Sequence, residues 1–286
     1  MNEAGYSVAL EALCAARRWM ESAAAEYFYQ RQFNEQSRSL TRWALAGALP
    51  YYWGPTQCDL INAVAPLLPE HWSPIPEHLE SEGGFFWFAK PPSISGSDED
   101  NHVQAIAWRV ISDTADPGLW VTYFMRVASG DFGPIGHWCW RFGHSLAAEC
   151  QDVAAIEPDA LIENPLAHRW SLLRLIATAW AFLEQRILVI APQRASRALR
   201  RRLPIDLRET LIHTIILRRQ QPMAAATVDN QGDVEWSWRW IVRGHWRDQW
   251  YPSIGHHRPI WILPYEKGPA EKPLKMPGVP LFAVTR

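Results

Sequence analysis

The residues best suited to chemistry or recognition lie in two neighbouring segments, 243–252 and 256–268, where large rings alternate with cationic and polar side chains. The candidate binding residues are Arg243, His245, Trp246, Arg247, Trp250, Arg258, Trp261 and Lys267. A guanidinium group offers a planar fork of donors and stacks on aromatic rings, so the segments suit a phosphate, a carboxylate or an extended peptide. The plainer interpretation is a hairpin whose tryptophan face fills a core and whose arginine face is solvated.

Two histidines of this region, His245 and His257, make the strongest case for catalysis, because an imidazole can act as base and acid near neutral pH. Arg208 and His213 also have the R-x4-H spacing of small helical ribonucleases, but the β-branched residues around His213 predict a strand, which would separate the pair. The sequence contains no G-x-S-x-G, P-loop, G-x-G-x-x-G or H-E-x-x-H motif. We therefore expect no cofactor and no metal ion, and favour a protein that is not an enzyme.

A group of arginines at 186–219 offers a second kind of site. It includes Arg194, Arg197, Arg200, Arg201, Arg202, Arg208, Arg218 and Arg219. Such a cluster can follow an RNA or DNA backbone, each phosphate contact adding salt-dependent affinity. Alternatively, it forms a solvated helix face or pairs with the acidic first half of the chain.

Charge is divided unevenly along the 286 residues. Residues 1–160 hold 9 basic and 20 acidic side chains, and 161–286 hold 19 and 10, so charges of −11 and +9 give the net −2. The chain is 48% hydrophobic and 20% charged, which excludes intrinsic disorder. Its longest apolar run, 175–183, is too short to span a bilayer, and its start lacks the basic region of a signal peptide. These features predict a cytoplasmic protein without a membrane partner.

The first part of the chain predicts helices followed by antiparallel strands. Its predicted elements are helices at 7–30 and 37–48, a long irregular segment at 50–92 with a short strand at 85–88, a hairpin of strands 103–112 and 119–127, and a strand at 137–142. Apolar alternation on both sides of Asp116-Pro117-Gly118 is the basis for the hairpin.

The second part repeats that order. Its predicted elements are helices at 168–189 and 193–202, strands at 211–217, 234–243 and 260–263, and an extended arm from Lys267. The first of these helices is apolar almost all round, as expected of a buried helix. The fold class is therefore α+β, mostly antiparallel, with an N-terminal helical segment and a buried central helix. The change near residue 160 predicts an acidic region, 1–160, and a basic region, 161–286, or one compact unit.

The stretch VRGHWRDQWYPS, followed by HHRPIWILPYEKG, resembles the C-terminal region of a protein family found in phages and plasmids. That family includes the anti-CRISPR protein that blocks biogenesis of the type V-A CRISPR effector nuclease. The matching positions are Arg243, Gly244, His245, Trp246, Arg258, Trp261 and Pro264, within about 30 residues of the chain. Additional residues at 249–252 indicate that the loop and its specificity differ.

The resemblance implies a mobile-element accessory protein that recognises a peptide, nascent chain or ribosome-associated target, with loss of the target message. No established active site comes with it. The alternative from the residues themselves is an RNA-binding protein or ribonuclease that uses the arginine group with His245 and His257.

Overall fold

The computed structural model describes residues 3–79, 81–91, 103–112, 116–126, 132–156, 169–185, 187–217, 237–253, 255–269 and 271–274. Internal contacts divide the chain into two units, Met1–Arg218 and Arg219–Arg286. The change of charge near residue 160 therefore falls within the first unit.

The first unit is built on a seven-stranded sheet. Its strands are β1 (Leu49–Trp53), β2 (Gly83–Phe88), β3 (Ala105–Ile111), β4 (Gly118–Arg126), β5 (Phe132–Arg141), β6 (Leu188–Arg194) and β7 (Leu211–Leu217). They lie in the order β5-β4-β3-β2-β1-β7-β6. Strand β1 runs parallel to β2 and β7, and the other neighbouring strands are antiparallel. The α+β class with mostly antiparallel pairing is confirmed.

Helices pack against this sheet. They are α1 (Glu3–Met20), α2 (Ala23–Gln32), α3 (Glu35–Ala46), α4 (Pro55–Val64), α5 (Leu146–Ile156), α6 (Arg169–Leu183) and α7 (Arg197–Arg202). The single helix expected over 7–30 is two helices, because the Ser22 hydroxyl accepts a hydrogen bond from the Ala25 N–H (3.2 Å) and begins α2. The helix predicted at 37–48 is confirmed as α3.

The segment 50–92 is not a long irregular stretch, contrary to the expectation from its prolines. It contains β1, α4 and β2, the last confirming the predicted strand at 85–88. Pro55 occupies the first turn of α4, where a residue without an N–H costs no helical hydrogen bond. Tyr51 and Trp53 are buried on one side of β1. The prolines here mark the starts of elements as well as loops.

The predicted hairpin is confirmed as β3 and β4, paired from Ala105–Phe124 to Ile111–Gly118. The third strand starts earlier than predicted, at Phe132, because a register shift at Tyr123/Phe124 accommodates the glycine- and proline-rich residues in β5.

The buried central helix is confirmed as α6, but it ends at Leu183, and the last residues predicted as helix belong to β6. The basic helix is also shorter than predicted, since Ser196 caps α7 (Oγ to Leu199 N–H, 3.2 Å). The strand at 211–217 is confirmed as β7. Trp180 of α6 lies edge-on to Trp108 and Trp140 of the sheet, with ring centroids 6.0 and 6.1 Å away.

The described residues of the second unit form four short strands that pair as one long hairpin. They are β8 (Trp240–Val242), β9 (His245–Tyr251), β10 (His256–Ile262) and β11 (Tyr265–Lys267). The β9–β10 pairing, Tyr251–His256 to His245–Ile262, and the β8–β11 pairing, Val242–Tyr265 to Trp240–Lys267, share one register. The ladder is interrupted opposite Pro264, which has no N–H to donate.

Two sequence predictions extend past the residues described in this unit. The strand expected at 234–243 is observed for Trp240–Val242, and its residues 234–236 lie outside the described part. Residues 275–286 of the expected arm lie outside it too. None of the helices in the described ranges combines the length and hydropathy that a bilayer crossing requires.

Candidate functional site

The candidate site is the β9–β10 hairpin with the residues that lead into it. Side chains alternate between the two faces of a strand, and directly paired residues share a face. Trp246 therefore shares a face with Trp261, and their rings meet edge to face at 5.4 Å. Trp250 and His257 are paired on that same face, with ring centroids 5.1 Å apart. We call these four residues the aromatic face.

The cations occupy the opposite face. His245 and Arg247 alternate with Trp246, and Arg243 precedes them by the same two-residue step. All three are exposed, whereas Val242, Gly244 and Trp246 between them are half-buried. We call Arg243, His245 and Arg247, with Arg258 from β10, the cationic face. The rings and cations that alternate in the sequence thus lie on opposite faces of the hairpin and do not line one shared groove.

The inner part of the aromatic face is packed. Trp261 is 6% exposed and Trp246 is half-buried. A Cβ on Gly244 would lie 2.6 Å from Cζ2 of Trp261, closer than two carbons can approach. Glycine at 244 therefore allows the Trp261 ring to lie against the backbone where the ladder is interrupted. Trp250, nearer the turn, is different, since it is 46% exposed.

The cationic face is open and little neutralised. Nδ1 of His245 donates to the Arg243 carbonyl oxygen (3.0 Å), and Nη2 of Arg247 donates to Oε1 of Gln249 (2.7 Å). Within the described residues, no carboxylate forms an ion pair with Arg243 or Arg247. Arg239 of the same unit, by contrast, is paired with Glu266 at 2.8 Å.

The two remaining candidate cations are placed separately. The Arg258 guanidinium lies 5.9 Å from the centre of the Tyr251 ring, on the cationic face near the turn. Lys267 is paired with Trp240 in the β8–β11 ladder, beyond the interruption. It is exposed and belongs to the base of the long hairpin.

The histidines proposed for acid–base chemistry are not brought together. His245 pairs with Ile262 and His257 pairs with Trp250, on opposite faces. Five ladder positions separate them, about 17 Å along the strands. The other histidine with a catalytic spacing, His213, lies in strand β7 as the β-branched residues predict, so the helical R-x4-H arrangement with Arg208 does not form. Burial lowers the pKa of His213 beside the Tyr51 ring.

The arginine group of the first unit is partly neutralised. Its ion pairs are Arg194–Glu209 (3.6 Å), Arg200–Glu209 (3.3 Å) and Arg202–Glu11 (2.9 Å). Glu11 belongs to α1, so the pairing with the acidic first half that the charge division suggested occurs at this point. Arg197 and Arg201 are exposed and have no ion pair within the described ranges. Arg218 and Arg219 lie outside them.

One polar centre was missed by sequence reasoning. Glu149 of α5 is fully buried and accepts hydrogen bonds from Trp138 Nε1 (2.8 Å) and the Arg141 N–H (3.2 Å). The Nδ1 atom of His144 lies 3.3 Å from the same carboxylate. No sequence signal singled out Glu149, since α5 also contains Gln151 and Asp152. This arrangement ties α5 to the end of β5. The described residues hold no group of three or more His, Cys, Asp or Glu side chains that could bind a metal ion.

Comparison with known proteins adds little functional information to the geometry of the hairpin. No protein-family model matches the sequence, and no curated protein matches it. Among solved structures, the crystal structure of AcrVA2 matches with a TM-score of 0.42 and 11% sequence identity, over 92% of this chain and 94% of that chain. A likeness of that size carries no argument about activity, so the functional case depends on the hairpin itself.

Proposed function

We propose that this protein is an anti-CRISPR-like accessory protein of a mobile element whose second unit binds an extended, acidic stretch of polypeptide, such as a nascent chain. The observation that carries the proposal is the exposed row of Arg243, His245 and Arg247, in which neither arginine is paired with a carboxylate of the described residues. The resemblance of residues 243–264 to the anti-CRISPR family supports the broader role.

The spacing of the cations fits an extended chain. Side chains at alternate positions of a strand are about 6.8 Å apart, and an extended peptide lying along the strand repeats at the same distance. Among carboxylates at every second position of such a peptide, two would meet the guanidinium groups of Arg243 and Arg247, on either side of His245. Ile260 and Ile262, half-buried across the ladder from Arg247 and His245, offer apolar surface beside the row.

The partition of the two faces favours a peptide over single-stranded RNA. Proteins that bind single strands combine a cationic track with aromatic rings on which the bases stack. Here the exposed indole of Trp250 lies on the face opposite the cationic row, and the Tyr251 ring on the cationic face is half-buried, with the Arg258 guanidinium 5.9 Å from its centre. A nucleic acid strand held by the row cannot stack on that indole, whereas carboxylate side chains need only the guanidinium groups.

Fluorescence anisotropy with a labelled peptide of alternating Glu and Thr tests the proposal. The double variant Arg243→Glu/Arg247→Glu should weaken binding at least about tenfold, since two charge-assisted contacts are lost. The matched control is Arg197→Glu/Arg201→Glu, which changes net charge equally on the exposed α7 of the first unit. It should leave the affinity within about twofold. Circular dichroism checks that both variants are folded.

A labelled oligouridine probe provides the contrasting arm. Binding of this probe with a steep salt dependence, weakened mainly by Arg197→Glu/Arg201→Glu, would replace the proposal with RNA binding through the arginine group. Equal loss of peptide binding in both double variants would mean only non-specific attraction. The same variants, expressed beside a message encoding an acidic N-terminal segment, report whether peptide capture is coupled to loss of that message.

A further inference from the structure

Helix α1 carries apolar side chains on two of its sides. One set packs against the sheet and is fully buried, and it comprises Ala9, Leu10, Leu13, Ala16 and Met20. A second set, Val8, Ala12, Ala15 and Trp19, has the four-three-four spacing of a helix that packs on another helix. This second set lines a groove of about 850 Å³.

The groove has apolar residues at its floor and wall and polar residues among the rest of its lining. Trp87 of β2 and Phe132 of β5 supply the floor, and Leu199 and Leu203 supply the wall on the α7 side. Gly133 follows Phe132, and a Cβ there would lie 3.3 Å from the Trp19 ring, so glycine lets this ring approach the strand. The groove is thus a shaped, partly open feature of the first unit.

Charges lie along its rim. Glu11 and Arg202 face each other in an ion pair at 2.9 Å, so they largely neutralise one another. Arg18 is exposed at the other end of the lining, and no described residue forms a hydrogen bond or ion pair with its side chain. An occupant with an apolar surface and a carboxylate near Arg18 would complement both the floor and the rim.

The dimensions indicate a helix as that occupant. From Val8 to Trp19 the lining residues extend about 17 Å along α1, or about three helical turns. Divided by this length, the groove volume gives a cross-section near half that of an α-helix with its side chains. This is the size expected when one apolar side of a helix is inserted into the groove and the other side stays in water. We infer that this groove binds an acidic amphipathic helix of a partner protein. The site is independent of the hairpin and of the function proposed for it.

A designed peptide tests the inference. The probe is a fluorescein-labelled amphipathic helix of about four turns, with Leu and Ala on one side and Glu flanking them; its control has the same composition in scrambled order. The ordered probe should bind saturably and at least about tenfold more tightly than the scrambled one, because only it presents a continuous apolar side.

Variants of the groove locate the binding. Ala15→Trp fills the space beside Trp19 and should weaken the ordered probe about tenfold or more. Ala24→Trp fills the exposed rim and keeps the test valid should the first variant unfold. Arg18→Glu should weaken binding by at least about fivefold, and the matched control Arg197→Glu, outside the groove, should not.

Three results would overturn the inference. The first is equal affinity for the ordered and scrambled peptides. The second is ordered-probe binding that both filling variants leave unchanged, which would place it elsewhere. The third is the absence of peptide binding together with binding of cis-parinaric acid that Ala24→Trp blocks. That result would identify the groove as a site for small anionic amphiphiles.

Discussion

The two units bury tryptophan to different extents, although Trp43 of the first is 40% exposed and Trp261 of the second is 6% exposed. In the first unit Trp108, Trp140 and Trp180 are buried to 1% exposure or less, because the sheet carries helices against it. In the second unit Trp238 and Trp250 are 50% and 46% exposed on a hairpin two strands wide. Tryptophan content therefore says little about function here, and the layers around each strand determine whether a ring is core or surface.

Arginine shows the same contrast. Several arginines of the first unit are held by carboxylates, among them Arg17 with Asp206 (2.7 Å) and Arg202 with Glu11 (2.9 Å). Arg243 and Arg247 of the second unit have no such partner within the described residues. Exposed ion pairs contribute little stability, about 0–1 kcal/mol each. Their consequence here is that they occupy several cations of the first unit, as Glu266 occupies Arg239 in the second, whereas Arg243 and Arg247 have no carboxylate partner among the described residues.

Removing a buried ring should have the largest effect. Trp180→Ala deletes a side chain that contacts both Trp108 and Trp140, so the free energy of unfolding should fall by about 3–5 kcal/mol. Urea titration followed by circular dichroism measures the loss. A decrease below about 1 kcal/mol would mean that packing of α6 on the sheet contributes little to stability. Tryptophan burial would then differ less in its energetic effect between the two units than the exposed fractions indicate.

Replacing His213 of the first unit should have an intermediate, pH-dependent effect. Burial lowers the pKa of His213 below its ordinary value of 6.5, so below about pH 6.5 the unfolded chain binds a proton there more readily than the folded chain. The contribution of neutral His213 to the free energy of unfolding should be fully present above about pH 6.5. It should decrease as the pH drops from 6.5 towards the pKa of His213 in the folded chain.

His213→Gln removes this ionisation. Its unfolding free energy should therefore decline less between about pH 7 and pH 5 than that of the unmodified protein, with the difference near pH 8 as the baseline. Denaturant titrations at each pH provide the comparison. Parallel pH profiles for the two proteins would contradict a pKa of His213 that burial lowers in the folded chain.

Much of the fold could be predicted because its signals are local. Alternation identified β3 and β4, β-branched residues identified β7, and the nearly uniform apolar surface of 169–183 identified α6. The start of strand β6 was missed because Leu188 and Val189 are as apolar as the helix before them, and no proline or glycine in residues 184–187 marks the end of that helix. Strand β1 and helix α4 were missed because Pro50 and Pro55 also occur at element starts, and only tertiary packing distinguishes these positions from loops.

The candidate site was less predictable, since it depends on contacts between distant residues. Alternation in 240–250 is visible in the sequence, but which residues of 256–267 share each face follows from the register of the hairpin. Gly244 was recognised as a break, yet its reason is the ring of Trp261 in the partner strand. The groove along α1 has a local sequence signal, which is the spacing of Val8, Ala12, Ala15 and Trp19. That signal alone does not identify a groove, because only the structure shows that a different side of α1 covers the sheet.

Trp250→Ala should have the smallest effect and gives the most direct test of the two-faced hairpin. Because its ring is 46% exposed and contacts His257, its removal should change the unfolding free energy by less than about 0.5 kcal/mol. Since Trp250 lies opposite the cationic row, affinity for the alternating Glu and Thr peptide should stay within about twofold. Trp246→Ala is the contrasting variant, because this half-buried ring packs on Trp261 and its loss should loosen the hairpin. A tenfold loss of peptide affinity in Trp250→Ala, with stability unchanged, would place the peptide against both faces and refute the assignment of binding to the cations alone.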